Sequence, residues 1–142
     1  MKRKKFISPV PPSLEVFGIV TPQKGYKLCF YLGKAFNCAF AHVDNYRLPY
    51  KEGEANFICY KSVEEDLETI YVIENECDGH LLSSKYKIAD YFLIRMKDGS
   101  KNQVAHIADQ VNKIGFVQTI FPIPLSQPAV VNLFVIEEIE KT

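Results

Sequence analysis

Four residues of this chain have the chemistry and spacing of a metal site. Cys38 and His42 are separated by three residues, Cys77 and His80 by two, and each pair falls beside an expected turn. Two thiolates and two imidazoles can hold zinc tetrahedrally. Structural zinc sites, however, usually pair Cys with Cys and His with His, and a chain of this size builds a core without metal. Scattered small and polar residues are the preferred reading, and neither a metal nor any other cofactor is expected. Cys77 and His80 also have the composition of a nucleophile and its base. A reactive cysteine needs a lowered thiol pKa, whereas Glu74, Glu76 and Asp78 surround this one with negative charge that opposes the thiolate. A hairpin tip is preferred, and no catalytic residue is assigned.

Asp90 is the carboxylate of greatest interest. If Ile88 to Met96 is one strand, alternation puts Asp90 on the face of Ile88, Phe92, Ile94 and Met96, which should be buried. An Asp there must be hydrogen-bonded, paired with a cation or at a sheet edge. The functional reading is a general base or ligand anchor with a raised pKa. The structural reading, which is preferred, is a cap that ties a neighbouring loop by accepting backbone N–H bonds. Tyr91 falls on the opposite face with Ala89, Leu93 and Arg95. Asp90 and Tyr91 are therefore the candidate binding residues. The seven glycines are dispersed and form no phosphate-binding loop. Ten Phe and eight Tyr suggest stacking surfaces, but the basic-Gly-aromatic string of RNA-recognition sheets is absent.

The elements that must position these residues follow from periodicity and turn chemistry. Pro9, Pro11 and Pro12 keep the first segment, residues 1–13, irregular. Leu14 to Val20 reads as a strand. Thr21-Pro22 reads as a helix start, with Thr as N-cap and Pro in the first turn. Leu28, Leu32, Ala35, Phe36 and Ala39 then form one apolar helical face, ending near Asn37. Strands follow at Phe40–Tyr46, Ala55–Val63 and Leu67–Glu76, with a loop over Leu48–Glu54 and a turn at Glu64-Glu65-Asp66. Asp78-Gly79 is a hairpin signal. Ile88–Met96 is the strongest strand. Ser100 with Gln103 forms a capping box for a second helix, whose face is Val104, Ile107, Ala108, Val111 and Ile114 and whose C′ residue is Gly115. Phe116–Ile123 is a strand; Ala129–Ile136 is a final strand or a short helix. The order predicts a single α+β domain over 14–142: a mainly antiparallel sheet with two helices packed on one face, in a ferredoxin-like or related layered arrangement.

Composition narrows the function classes. The chain has 142 residues, 47% apolar and 24% charged, as a single globular domain should. Seventeen basic residues cancel seventeen acidic ones, so there is no global attraction for phosphate backbones and nucleic-acid binding is disfavoured. The one basic run, Lys2, Arg3, Lys4 and Lys5, is preferred as a solvated terminus. Three prolines after it break the apolar run that a signal peptide needs, and no later run reaches the about 20 residues of a membrane span. Four cysteines without a secretion signal are read as reduced thiols, so a cytoplasmic location is expected.

At Ala89-Asp90-Tyr91-Phe92-Leu93-Ile94 the chain resembles the IPExxxVDY family, small proteins of Bacteroidota-type bacteria to which no activity is attached. Gly18-Ile19-Val20 and Tyr26-Lys27-Leu28-Cys29-Phe30 resemble that family's first strand and its "YRLCW"-like helix. Phe57-Ile58 and Lys113-Ile114-Gly115-Phe116-Val117 fall where the family has a strand and a helix-to-strand junction. The resemblance runs from about Val16 to Thr119. The Ile-Pro-Glu half of the signature falls on Ser83, Ser84 and Lys85, and none of the three matches. Ala89, Asp90 and Tyr91 are the positions carried over. The expectation is a non-enzymatic binding or protein-interaction module, with homodimerisation through a sheet edge or an aromatic face as one form of association. The competing expectation is a small-ligand or enzymatic site at Asp90 and Tyr91; a third is an RNA-associated protein using Lys2–Lys5.

Overall fold

Eight strand-forming runs and two short helical faces have to bury their apolar sides against each other. They do so in two layers in the computed structural model, which describes residues 14–124. The elements are β1 (Leu14–Val20), α1 (Gly25–Phe36), β2 (Phe40–Tyr50), β3 (Gly53–Ser62), β4 (Thr69–Glu74), β5 (Glu76–Cys77), β6 (His80–Leu81), β7 (Tyr91–Met96), α2 (Ile107–Asn112) and β8 (Thr119–Ile123). Six strands form one sheet in the order β2-β3-β4-β7-β1-β8, and every pairing in it is antiparallel. With the β2–β3 hairpin set aside, β1-α1-β4-β7-α2-β8 has the strand order of a ferredoxin-like sheet, β8-β1-β7-β4. The expected α+β layering is what forms. The Lys2–Lys5 tail and the Ala129–Ile136 segment lie outside the described residues.

Strand alternation divides the core. Phe17, Ile19, Ile70, Val72, Tyr91 and Leu93 face Leu28, Leu32 and Phe36 of α1 and Ile107 and Val111 of α2. Val16, Phe57, Cys59, Tyr71, Ile73, Phe92 and Ile94 point to the opposite face, where Leu82 and Ala89 from the β4–β7 connection pack on them. The central strands are thus buried on both sides, which is why β7 reads as a continuous apolar run. Pro122 falls in β8, which among the described residues pairs only with β1, where a missing N–H is tolerated.

The strands expected over Leu67–Glu76 and Phe116–Ile123 are shorter, Thr69–Glu74 and Thr119–Ile123, and four further departures from the sequence-based expectation arise where bonds between elements take the backbone or capping groups. The first helix starts at Gly25, after Lys24 in extended conformation, and Thr21 does not cap it. The Thr21 hydroxyl donates to the Phe116 carbonyl (2.9 Å) and accepts the Gln23 N–H, so it holds a turn before the helix. The expected loop over Leu48–Glu54 is the tip of the β2–β3 hairpin. The strand expected from Ile88 starts at Tyr91, because the chain turns over Lys85–Ile88 and the Ala89 N–H bonds back to Tyr86. The second helix is six residues long, has no capping box and ends before Gly115. Ser100 is held instead by the Asp98 carboxylate, which accepts both its N–H and its hydroxyl. Asn102 and Val104 give their N–H groups to the Asp66 carbonyl and the Glu68 carboxylate. Those bonds hold 101–106 out of the helix even though Val104, Ile107 and Val111 are buried as its periodicity implied.

Candidate functional site

The β1–α1 connection is where Asp90 and Tyr91 act. The Thr21 N–H donates to Asp90 Oδ2 at 2.9 Å. The Tyr91 hydroxyl donates to the Gln23 carbonyl at 2.6 Å. Asp90 N–H itself bonds the Ile19 carbonyl, and Asn75 N–H bonds the Asp90 carbonyl. The pair therefore ties together the ends of β1, β4 and β7 and the turn that launches α1. Asp90 is exposed, which corrects its expected place on a buried face: it precedes β7, and its neighbour Ile88 is 65% exposed. Tyr91 is buried with Leu93 against the helices, and burial, then Glu74 and Asp90, push its phenol pKa up. Gly25 sits under this tyrosine: a Cβ there would lie 3.0 Å from the Tyr60 ring and 3.4 Å from that of Tyr91.

Two adjoining clefts open beside this clamp. One, of about 430 Å³, is lined by Gln23, Gly25, Tyr60, Glu74 and Tyr91; the other, of about 200 Å³, by Thr21, Glu74, Glu76 and Asp90. Glu74 stands opposite Tyr91 in the β4–β7 register. Burial raises its carboxyl pKa above the usual glutamate range; the Ile58 N–H bond works against that rise and Glu76 adds to it.

The third cleft, of about 520 Å³, runs between α1 and the first half of β2. Its helical wall follows from the two-sidedness of α1. Leu28, Cys29, Leu32 and Phe36 are buried, and Gly33 lets the helix lie against the Cys38 carbonyl. The outward side carries Tyr26 (66% exposed), Phe30 (61%) and Tyr31, with Lys27 and Lys34 between them and no acidic residue anywhere in the helix. Lys34 Nζ lies 5.3 Å from the Phe30 ring centre and 5.9 Å from that of Tyr31, and Lys27 Nζ lies 5.8 Å from that of Phe116. Tyr31 meets Phe116 edge-on at 5.1 Å. Opposite, His42 stands edge-on to Tyr60 at 5.7 Å. The Cys38 thiol, at the cleft's end, is pushed up to about 11 by burial and then by Glu64, so it is a poor nucleophile at neutral pH.

The two Cys–His pairs stay apart in the fold. Cys38 and His42 line the α1–β2 cleft, while Cys77 and His80 pair across the β5–β6 ribbon, whose Asp78 and Gly79 have the positive φ expected of that turn. Among the described residues no three His, Cys, Asp or Glu side chains are grouped to hold a metal. None of the four cysteines forms a disulfide.

Two buried polar networks escaped the sequence reading. Glu68, fully buried, takes Arg95 in a bidentate pair (2.6 and 3.0 Å) and also accepts the Val104 N–H. Asn75, also fully buried, donates to the Tyr86 and Ala89 carbonyls and accepts the Ser83 N–H, which shapes the loop leading to Asp90. The available signal for the first was an arginine inside an apolar strand. For the outward face of α1 it was Tyr26, Phe30 and Lys34 at steps of four, on the side away from the leucines.

No family model, curated protein or solved structure matches the chain.

Proposed function

We propose that this chain is a non-enzymatic protein-interaction module whose contact surface is the outward face of α1 and the cleft beside it. One observation carries the reading: three aromatic side chains share that face with two lysines and no carboxylate. A solvated helix face ordinarily mixes charges of both signs, and clustered exposed aromatics mark contact surfaces. Membership of the IPExxxVDY family fits the same reading. Asp90 and Tyr91 bond the turn from which α1 starts, which supports a positioning role for them. Four cysteines with no disulfide among them fit the cytoplasm as the setting.

The test compares the tagged wild-type chain with Tyr26→Ser/Phe30→Ser in chemical crosslinking in its own cell lysate, with sedimentation of each purified protein to detect a homodimer. Both side chains are largely exposed, so the double variant should melt within about 1 kcal/mol of wild type. The expected result is a crosslinked partner, or a dimer, present with wild type and lost with the variant. An unchanged crosslinking and sedimentation pattern overturns the reading.

The competing reading, a small-ligand or enzymatic site at Asp90 and Tyr91, rests on the cleft where Glu74, with its raised pKa, meets them. Asp90→Ala, which removes the acceptor of the Thr21 N–H, separates the two. Loss of stability through the Thr21 bond supports the positioning role; intact stability with loss of a co-purifying small molecule supports a ligand site.

A further inference from the structure

The α1–β2 cleft borders the open edge of the sheet. Among the described residues β2 pairs only with β3, and its Ala41 and His42 are exposed. The rest of that edge is blunted: the register breaks between Val43 and Tyr46, and Pro49 lies beyond the break. Bulges and prolines are the usual means of preventing strand addition. The one regular stretch left, Phe40–Val43, runs beside the cleft, whose other wall is the Tyr26, Phe30 and Lys34 side of α1. An edge strand next to a helix with an apolar cleft between them is the geometry in which an extended peptide adds a strand: main-chain bonds give affinity, and alternate side chains enter the cleft. At about 520 Å³ the cleft is ligand-sized. Its charge selects the occupant. Lys34 is the lysine in the cleft's lining, Lys27 is exposed next to it on the same side of α1, neither is opposed by a carboxylate in that helix, and Glu64 at the far end is engaged by the Ala39 N–H.

We propose that this cleft binds an extended acidic protein segment by strand addition to Phe40–Val43, with an aromatic or aliphatic side chain between Phe30 and Tyr60 and a flanking carboxylate towards Lys34. This deepens the interaction-module reading and rests on it.

The full chain is panned against a random nine-residue peptide library, and the best binders are resynthesised with a fluorescent label. Expected are peptides with Asp or Glu flanking a large apolar residue. Methylating alternate backbone nitrogens should weaken them at least about tenfold, because each methyl removes a main-chain bond. Lys34→Glu and Phe30→Ser should each weaken them about fivefold or more while each variant still melts in one transition within a few degrees of wild type. Peptides without acidic residues overturn the acidic occupant, and acidic peptides indifferent to N-methylation overturn strand addition. If the latter still lose binding in Phe30→Ser, α1 remains the contact surface and only the mode is wrong. A fifteen-nucleotide oligouridylate, or phosphatidylserine vesicles, bound more tightly than the best peptide and released by Lys34→Glu would reassign the cleft to nucleic acid or membrane.

Discussion

Glu68 and Arg95 show how much one side chain can organise. Both are buried, and their forked pair also satisfies the Val104 N–H and carbonyl. Desolvating two ions is costly, so such a pair adds little over an apolar pair of the same shape, while removing one partner strands the other. Glu68→Gln should therefore cost about 3–5 kcal/mol in a urea melt, and Glu68→Leu with Arg95→Met should recover most of it. A loss under about 1 kcal/mol in the single variant would show that Glu15, which Arg95 also pairs at 3.2 Å, compensates for the lost carboxylate. Glu74 makes the opposite prediction. Its folded pKa is raised, first by burial, so the native state binds its proton more tightly than the unfolded chain. Stability from this group is present at low pH and lost as pH rises through the ordinary glutamate range towards the folded pKa. Glu74→Gln keeps an acceptor for the Ile58 N–H and should raise the melting temperature at pH 7, with little change near about pH 4. A fall at pH 7 would mean that the carboxylate has a favourable partner.

At the scale of elements, α1 illustrates two effects in competition. Alanine for glycine inside a helix gains about 1 kcal/mol in propensity. At Gly33, however, a Cβ would lie 2.6 Å from the Cys38 carbonyl oxygen, and that backbone is pinned because the Cys38 N–H bonds the Gly33 carbonyl at 2.9 Å. Overpacking against fixed backbone outweighs propensity, so Gly33→Ala should destabilise by about 1–3 kcal/mol in a thermal melt. A stabilised variant would show that the turn after α1 yields. The same turn uses Asn37 in the left-handed region (φ 59), where Asn is tolerated better than most residues. α1 ends where periodicity placed it, whereas its start moved because Thr21 was already bonded to Phe116 across the sheet.

For the whole molecule the governing fact is that β1 lies next to both β7 and β8, strands far from it in sequence. Such pairing must close long loops before it gains contacts, and it slows folding. Stopped-flow refolding should accordingly run in milliseconds to seconds; a microsecond phase carrying most of the amplitude would contradict a sheet-governed transition state.

The sequence alone determined the α+β class, the face of α1 that is buried, the Asp78-Gly79 hairpin and the apolar core of β7, because periodicity, turn chemistry and hydrophobicity are local. It also singled out Asp90 and Tyr91. Only the tertiary structure decided that Asp90 is exposed and tied to Thr21, that residues 101–106 stay out of α2, and that Cys38 and His42 are far from any use with Cys77 and His80. It alone brought the aromatic side of α1 to the open edge of β2. The reason is common to all of these. Each depends on which distant backbone group a side chain meets, and one buried hydrogen bond of about 1 kcal/mol or more equals or exceeds the local preferences that a sequence displays.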